Sequence, residues 1–138
     1  MGRAGFNQKT EVMANVAAGT FAAGGGDDDT FYYYTDMRDH RRSAMQYVMA
    51  GSGTQTLTVE ATVEETSYSN ATELATKAAS LTWTDISSTY LGTDTKTADG
   101  MTTDSAGVSG TVTFIRAKVV VASSDTDTAY SVKINKTE

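Results

Sequence analysis

Residues 54–64 alternate with a period of two. Leu57, Val59, Ala61 and Val63 fall on one face and Thr56, Thr58, Glu60, Thr62 and Glu64 on the other, the pattern of a strand that packs one side and wets the other. Residues 111–122 repeat it, with Ile115, Ala117, Val119 and Val121 set against a second face, part apolar and part charged, of Thr113, Phe114, Arg116 and Lys118. Residues 128–136 place Tyr130, Val132 and Ile134 inward and Ser131, Lys133 and Asn135 outward. A helix cannot present such rows on one side, because its faces repeat every 3.6 residues. The chain is rich in Thr (24), Ser (12) and Val (11) but holds only 4 Leu and 3 Ile. Residues stiff at χ1 suit a pleated surface, and a helical protein of this size carries more Leu, Glu and Lys.

At 138 residues the chain makes one domain, long enough to bury roughly two thirds of the surface its unfolded form exposes. Residues 1–29 read as an N-terminal arm, with a weak strand over 10–21 and a break at Gly24-Gly25-Gly26-Asp27-Asp28-Asp29, where flexible backbone meets mutually repelling carboxylates. The sandwich domain is 30–138. It opens on the β-prone run Phe31-Tyr32-Tyr33-Tyr34-Thr35, followed by the polar Arg38-Asp39-His40-Arg41-Arg42 and a strand over 43–50, in which Ala44, Gln46, Val48 and Ala50 oppose Met45, Tyr47 and Met49. Gly51-Ser52-Gly53 predicts an antiparallel hairpin joining 43–50 to 54–64. Residues 71–79 fit either two helical turns or a long loop. A short strand is expected over 81–87, a long polar connection over 92–110, and a terminal hairpin pairing 111–122 with 128–136 across Ser123-Ser124-Asp125-Thr126-Asp127. Strands punctuated by Gly, Asp and Ser, without a βαβ rhythm, predict an all-β fold: a single antiparallel β-sandwich or jelly roll with at most one short helix. No proline guards its edges, so charge, bulges or neighbouring subunits must.

The composition removes whole classes of chemistry. Without cysteine there is no thiol, iron–sulfur or cysteine–zinc chemistry, and the lone His40 cannot build a multi-histidine metal centre. A net charge of -6 repels a phosphate backbone, so nucleic acid is not an expected partner. No run approaches the roughly 18 apolar residues of a membrane span. The first six residues show no apolar signal region, and Phe6 stands where a myristoylation site needs Ser or Thr. No G-x-S-x-G, P-loop or H-E-x-x-H signature is present, and the one histidine sits among arginines that oppose a neutral imidazole base. The chain reads as a non-enzyme without a cofactor.

Candidate sites each carry a plain reading as well. Asp27, Asp28 and Asp29, joined by Asp94, Asp99, Asp104, Asp125 and Asp127 if their loops converge, are calcium ligands or simply solvated loop carboxylates. Arg38, His40, Arg41 and Arg42 form the concentrated positive charge of an acidic chain: either a dock for a carboxylate-rich neighbour or a connection pairing locally with Asp36 and Asp39. Tyr32, Tyr33, Tyr34, Trp83 and Tyr90 are a sugar-stacking platform if they form an exposed flat strip, and core or interface anchors if they do not. Tyr32, Tyr33, Tyr34, Arg38, Arg41 and Arg42 are therefore the candidate interface set. The sequons at Asn70 and Asn135 arise by chance in so threonine-rich a chain.

The succession Tyr34-Thr35-Asp36-Met37, Gln46-Tyr47-Val48-Met49-Ala50-Gly51-Ser52-Gly53-Thr54, Leu57-Thr58-Val59-Glu60-Ala61, Trp83-Thr84-Asp85-Ile86, Phe114-Ile115-Arg116-Ala117-Lys118-Val119-Val120 and Tyr130-Ser131-Val132-Lys133-Ile134-Asn135-Lys136 resembles small β-sandwich virion proteins of tailed bacteriophages. It spans residues 30–136 as a pattern of strands and turns, without active-site residues to transfer. The resemblance implies a capsid decoration (cement) subunit, or an accessory tail or neck subunit. Such a protein is made in the host cytoplasm and is commonly a homotrimer bound to the major capsid protein or other virion subunits on the outer capsid surface. A carbohydrate-binding or adhesin module is the competing expectation.

Overall fold

The computed structural model of the chain describes residues 8–12, 20–21, 29–51, 55–121 and 128–137. In chain order the elements are β1 (Gln8–Val12), β2 (Thr20–Phe21), β3 (Asp29–Asp36), β4 (Arg42–Gly51), β5 (Gln55–Thr62), α1 (Ala71–Ala78), β6 (Thr84–Asp85), α2 (Ser87–Tyr90), β7 (Gly100–Thr103), a 3-10 turn (Val108–Gly110), β8 (Phe114–Val121) and β9 (Thr128–Thr137). The first sheet runs β1-β9-β4-β7, with β2 also on β9; the second runs β3-β8-β5-β6. All pairings are antiparallel, and they nest: β1 with β9, β3 with β8, β4 with β7, β5 with β6. A long hairpin wrapped on itself in this way is a jelly roll, the sandwich expected from the sequence.

Nesting overturns both hairpins expected from the sequence. β4 and β5 lie in different sheets, and so do β8 and β9. Alternation decides which face of a strand is apolar, and that face is satisfied equally by pairing with the next strand or by crossing to the opposite sheet, so a Gly/Ser connection does not choose between them. The residues taken as turns at 52–53 and 123–127 lie outside the described residues, as do 1–7 of the arm and the break at 24–28. Within the stretch read as an N-terminal arm, β1 and β2 pair with β9 in the first sheet.

Three further expectations change. The connection 92–110 contains β7 and the 3-10 turn, and Lys96 exchanges backbone hydrogen bonds with Leu57 at 2.8 and 3.0 Å. Its threonines are strand formers, so polarity there marks an edge strand. The strand expected over 81–87 is laddered only at Thr84–Asp85, because the Asp85 carboxylate accepts the Ser87 N–H at 2.8 Å and starts the single turn of α2. Among the described residues there are thus two short helices where at most one was expected. Residues 71–79, open in the sequence, are helical: Asn70 Oδ1 accepts the Glu73 N–H at 2.9 Å, an N-cap that also employs the Asn70 sequon, and Glu73 pairs with Lys77 one turn on.

The faces of the strong strands are as read wherever the side chains are described, Tyr130 lying outside them. Leu57, Val59 and Ala61 meet Ile115, Ala117, Val119, Val121, Val132 and Ile134 in the core between the sheets, together with Tyr33, Met45 and Tyr47. Val63 departs from its row: the ladder stops at Thr62, whose carbonyl accepts the Thr113 N–H, and Val63 is 72% exposed. Gly100 packs closely on Tyr47: a Cβ there would lie 3.1 Å from the Tyr47 hydroxyl, so the ring would have to give by a few tenths of an ångström.

Polar groups tie the layers together. Lys136 of β9 is 2% exposed, and its ammonium crosses the sandwich to donate to Thr35 Oγ1 at 3.1 Å and to the Asp36 carbonyl at 2.7 Å on β3. The buried Ser43 hydroxyl lies 2.7 Å from both the Tyr90 and Ser109 hydroxyls, and Asp104 holds the 3-10 turn by accepting the Val108 and Ser109 amides. Burial pushes the Tyr90 phenol up to about 12.

The end of β5 is testable with one residue type. Val59→Asp places an unpaired charge at a fully buried position and should cost several kcal/mol, whereas Val63→Asp, two pairs further along the same sequence row, should cost under about 0.5 kcal/mol. Urea unfolding of dilute protein measures both; equal losses would contradict the ladder's end.

Candidate interaction surface

The outer face of the second sheet is set by register. Reading across β3, β8 and β5, the rows are Asp36–Phe114–Thr62, Tyr34–Arg116–Glu60 and Tyr32–Lys118–Thr58. α1 lies over the first two rows and buries Leu74, Ala75 and Ala78 against Tyr34 and Phe114, with Tyr68, Leu81 and Trp83 packed around them. Arg116 is the centre of this face. Its Nε donates to Glu60 Oε1 at 2.8 Å, and its guanidinium lies 4.1 Å from the centre of the Tyr32 ring and 4.5 Å from that of Trp83. Trp83 is fixed in turn, its indole N–H donating to the Ala78 carbonyl at 2.9 Å and its ring 5.7 Å from Tyr34. Burial raises the Tyr34 phenol, against the opposing pull of Arg116.

At the β3–β4 corner Arg38 clasps Asp36 through Nε and Nη2, at 3.0 and 2.7 Å, and lies over the rings of Phe114 and Tyr68, while the Tyr68 hydroxyl donates to Asp36 Oδ2 at 2.7 Å. Burial alone would raise the Asp36 carboxyl, but the hydrogen bonds from Arg38 and Tyr68 outweigh it and hold it below the usual carboxylate range. Burial, and donation to Asp36, push Tyr68 up to about 12. Asp39 turns the corner with φ 67°, a left-handed conformation that aspartate tolerates better than most residues.

The six candidate interface residues do not form one patch. Tyr33 is in the core between the sheets and Tyr34 in the cluster under α1, both buried; Tyr32 is half-buried against Arg116. Arg38 serves its own corner, as the local-pairing alternative has it. Arg41 and Arg42 are exposed, where the chain enters the first sheet, with His40 half-buried beside them. Trp83 is partly buried and Tyr90 wholly so. Of the acidic candidates, Asp104 is engaged in its turn, Asp94 and Asp99 are exposed, and Asp29 begins β3; Asp27, Asp28, Asp125 and Asp127 lie outside the described residues. Among the described residues no group of three or more His, Asp or Glu is gathered for a metal.

Glu60–Arg116, Lys136 and Tyr68 were not singled out in the sequence. Glu60 and Arg116 stand on the polar faces of the two strongest strands, but only the pairing of β5 with β8 makes them partners. Elsewhere the surface leaves apolar side chains uncovered. Val48 (43% exposed) and Met101 (67%) stand on the outer face of the first sheet, and Val63 borders an open groove of about 270 Å³ walled by Ala61, Ile86 and Val112. No helix among the described residues is long and apolar enough to cross a membrane. No family model, curated protein or solved structure matches the chain.

The Asp36 corner gives a pH dependence with a defined sign. A carboxyl held low in the fold binds fewer protons there than in the unfolded chain, so its contribution is complete above the ordinary carboxylate range and is lost as pH falls through its folded pKa. Asp36→Asn should lower the urea midpoint at neutral pH and flatten its decline between about pH 5 and pH 2. A mutant decline as steep as the wild type's would contradict this.

Proposed function

We propose that the chain is a non-enzymatic virion structural subunit of a tailed bacteriophage: a capsid decoration protein that works as a homo-oligomer, most simply a trimer, on the outside of the head. The jelly roll serves viral capsid and lectin domains alike, so the fold by itself does not decide. The observation that carries the reading is the first sheet's outer face. Val48 and Met101 stand uncovered there among Gln46, Lys133 and Asn135, an apolar centre with a polar surround of the kind that meets another protein.

The aromatic side chains support the same choice. A sugar-binding platform presents flat ring faces to solvent. Here Tyr33, Tyr34 and Tyr90 are buried, while Tyr32 and Trp83 flank the Arg116 guanidinium, which is neutralised by Glu60. The hydroxyl trio Ser43, Tyr90 and Ser109 is likewise buried and mutually hydrogen-bonded, which keeps a substrate from reaching it.

Purified particles should carry the protein in fixed stoichiometry on the head, and the isolated protein should sediment as an oligomer. A strict monomer absent from particles would overturn the reading, and imaging at the neck or tail would move it to an accessory subunit. Arg41→Ala combined with Arg42→Ala, both exposed, should leave thermal unfolding unchanged and weaken retention on particles, increasingly as salt is raised. A desolvated interfacial arginine is worth on the order of 2–5 kcal/mol, and a solvated one close to nothing. Unchanged occupancy at every salt concentration would remove these arginines from the contact.

A further inference from the structure

We infer that copies of the chain join head to tail, Met101 on the first sheet of one copy entering the groove beside Val63 on the next; this rests on the homo-oligomer reading above and specifies its contact. Among the described residues the large apolar side chains left exposed are Val48, Met101 and Val63. They fall into two unlike sites. Val48 and Met101 stand on a flat sheet face, whereas Val63 borders a concave groove whose walls, Ile86 and Val112, pack against the main core and are therefore firm.

The charges of the two sites are opposite. In an acidic chain, the described strand residues of the first sheet's outer face include Arg42 and Lys133 and no carboxylate, and Asp99, just before β7, shares its surroundings near Met101 with Lys96. Glu64, exposed, lines the groove and is followed by the exposed Glu65, and Glu64 is held in place by accepting the Thr82 N–H at 2.6 Å. Pairing like faces about a two-fold axis would set Arg42 and Lys133 against their own copies, and the glutamates against theirs. A heterologous contact sets cation against carboxylate in every interface and closes a ring when its rotation permits.

Spacing fits as well. Lys133, Gln46 and Met101 stand side by side across β9, β4 and β7, which separates the cation from the methionine by two strand spacings, about 10 Å. Glu65 follows Val63 by two residues, at most about 7 Å along the chain, and the long lysine side chain spans the difference. Methionine, unbranched and adaptable, suits an irregular groove of this kind.

The chain has no cysteine, so an introduced thiol has no competitor. The Met101→Cys and Val63→Cys variants, alone and mixed, are treated with a short bis-maleimide and followed by sedimentation. Gln46→Cys mixed with Glu65→Cys repeats the test with Met101 and Val63 intact. Cross-linked dimer in the mixtures and none in either variant alone is the expected result. Links within Met101→Cys alone would replace the contact by a two-fold one. An oligomer without mixed links overturns the contact and leaves the homo-oligomer standing, whereas a monomer at all concentrations overturns both. Lys133→Glu and Glu65→Lys should each weaken association roughly tenfold at low salt and together restore it; singles without effect, or a double that fails to recover, would exclude the charge pairing.

Discussion

The fold depends on the ladder that holds β8 between β3 and β5. All eight residues of Phe114–Val121 pair on both sides without a slip, against Asp29–Asp36 and Gln55–Thr62, and a shift of one residue would turn Ile115, Ala117, Val119 and Val121 out of the core. β9 plays the same part in the first sheet, between β4 and the β1–β2 edge. Both central strands lie in the C-terminal part of the chain. Most strands preceding them therefore find a neighbour only after long loops have closed, an entropic cost that favours slow, cooperative folding. The lack of proline suits this plan, since β8 and β9 use both edges. Two of the edges are blunted by brevity: β6 has two residues and β7 four.

Register is written in polar contacts as much as in apolar ones. Arg116 meets Glu60 and two aromatic rings only when β3, β8 and β5 are aligned as observed, and Lys136 reaches Thr35 and the Asp36 carbonyl only when the sheets face each other correctly. Removing one partner of such a pair strands a desolvated group, and a mispaired alternative suffers the same loss, so these contacts penalise wrong arrangements even where their net contribution to stability is small.

What the sequence discloses follows from the same physics. A period of two reports burial directly, so the core rows of β5, β8 and β9 could be read off, with Val63 as the exception because nothing local announces where a ladder ends. Partnership is not local: β4 and β5 are joined by a glycine-flanked serine, yet they belong to opposite sheets. Helix α1 is capped by Asn70, which stood in the sequence only as a chance sequon, whereas α2 arises from a single carboxylate–amide contact at Asp85 and left no periodic trace. Within the candidate site, charge in the Arg38–Arg42 segment was legible, but its division into the internal Arg38–Asp36 clasp and the exposed Arg41 and Arg42 was decided by Tyr68, more than two dozen residues downstream. The buried Lys136 resembles any surface lysine in sequence, because only the opposite sheet supplies its acceptors.

The two outer faces have been spent differently. On the second sheet, α1, Trp83 and the Arg116–Glu60 pair cover the aromatic rows, so what would have been a sticky surface becomes a second core. The first sheet has no such cover among its described residues, although Val48 and Met101 break its polar alternation and a solvated face would be better served by threonine at either place. An acidic chain whose described strand residues on this face are Arg42, Lys133 and neutral side chains, with Asp99 only at the rim, keeps one surface that buries little negative charge when covered.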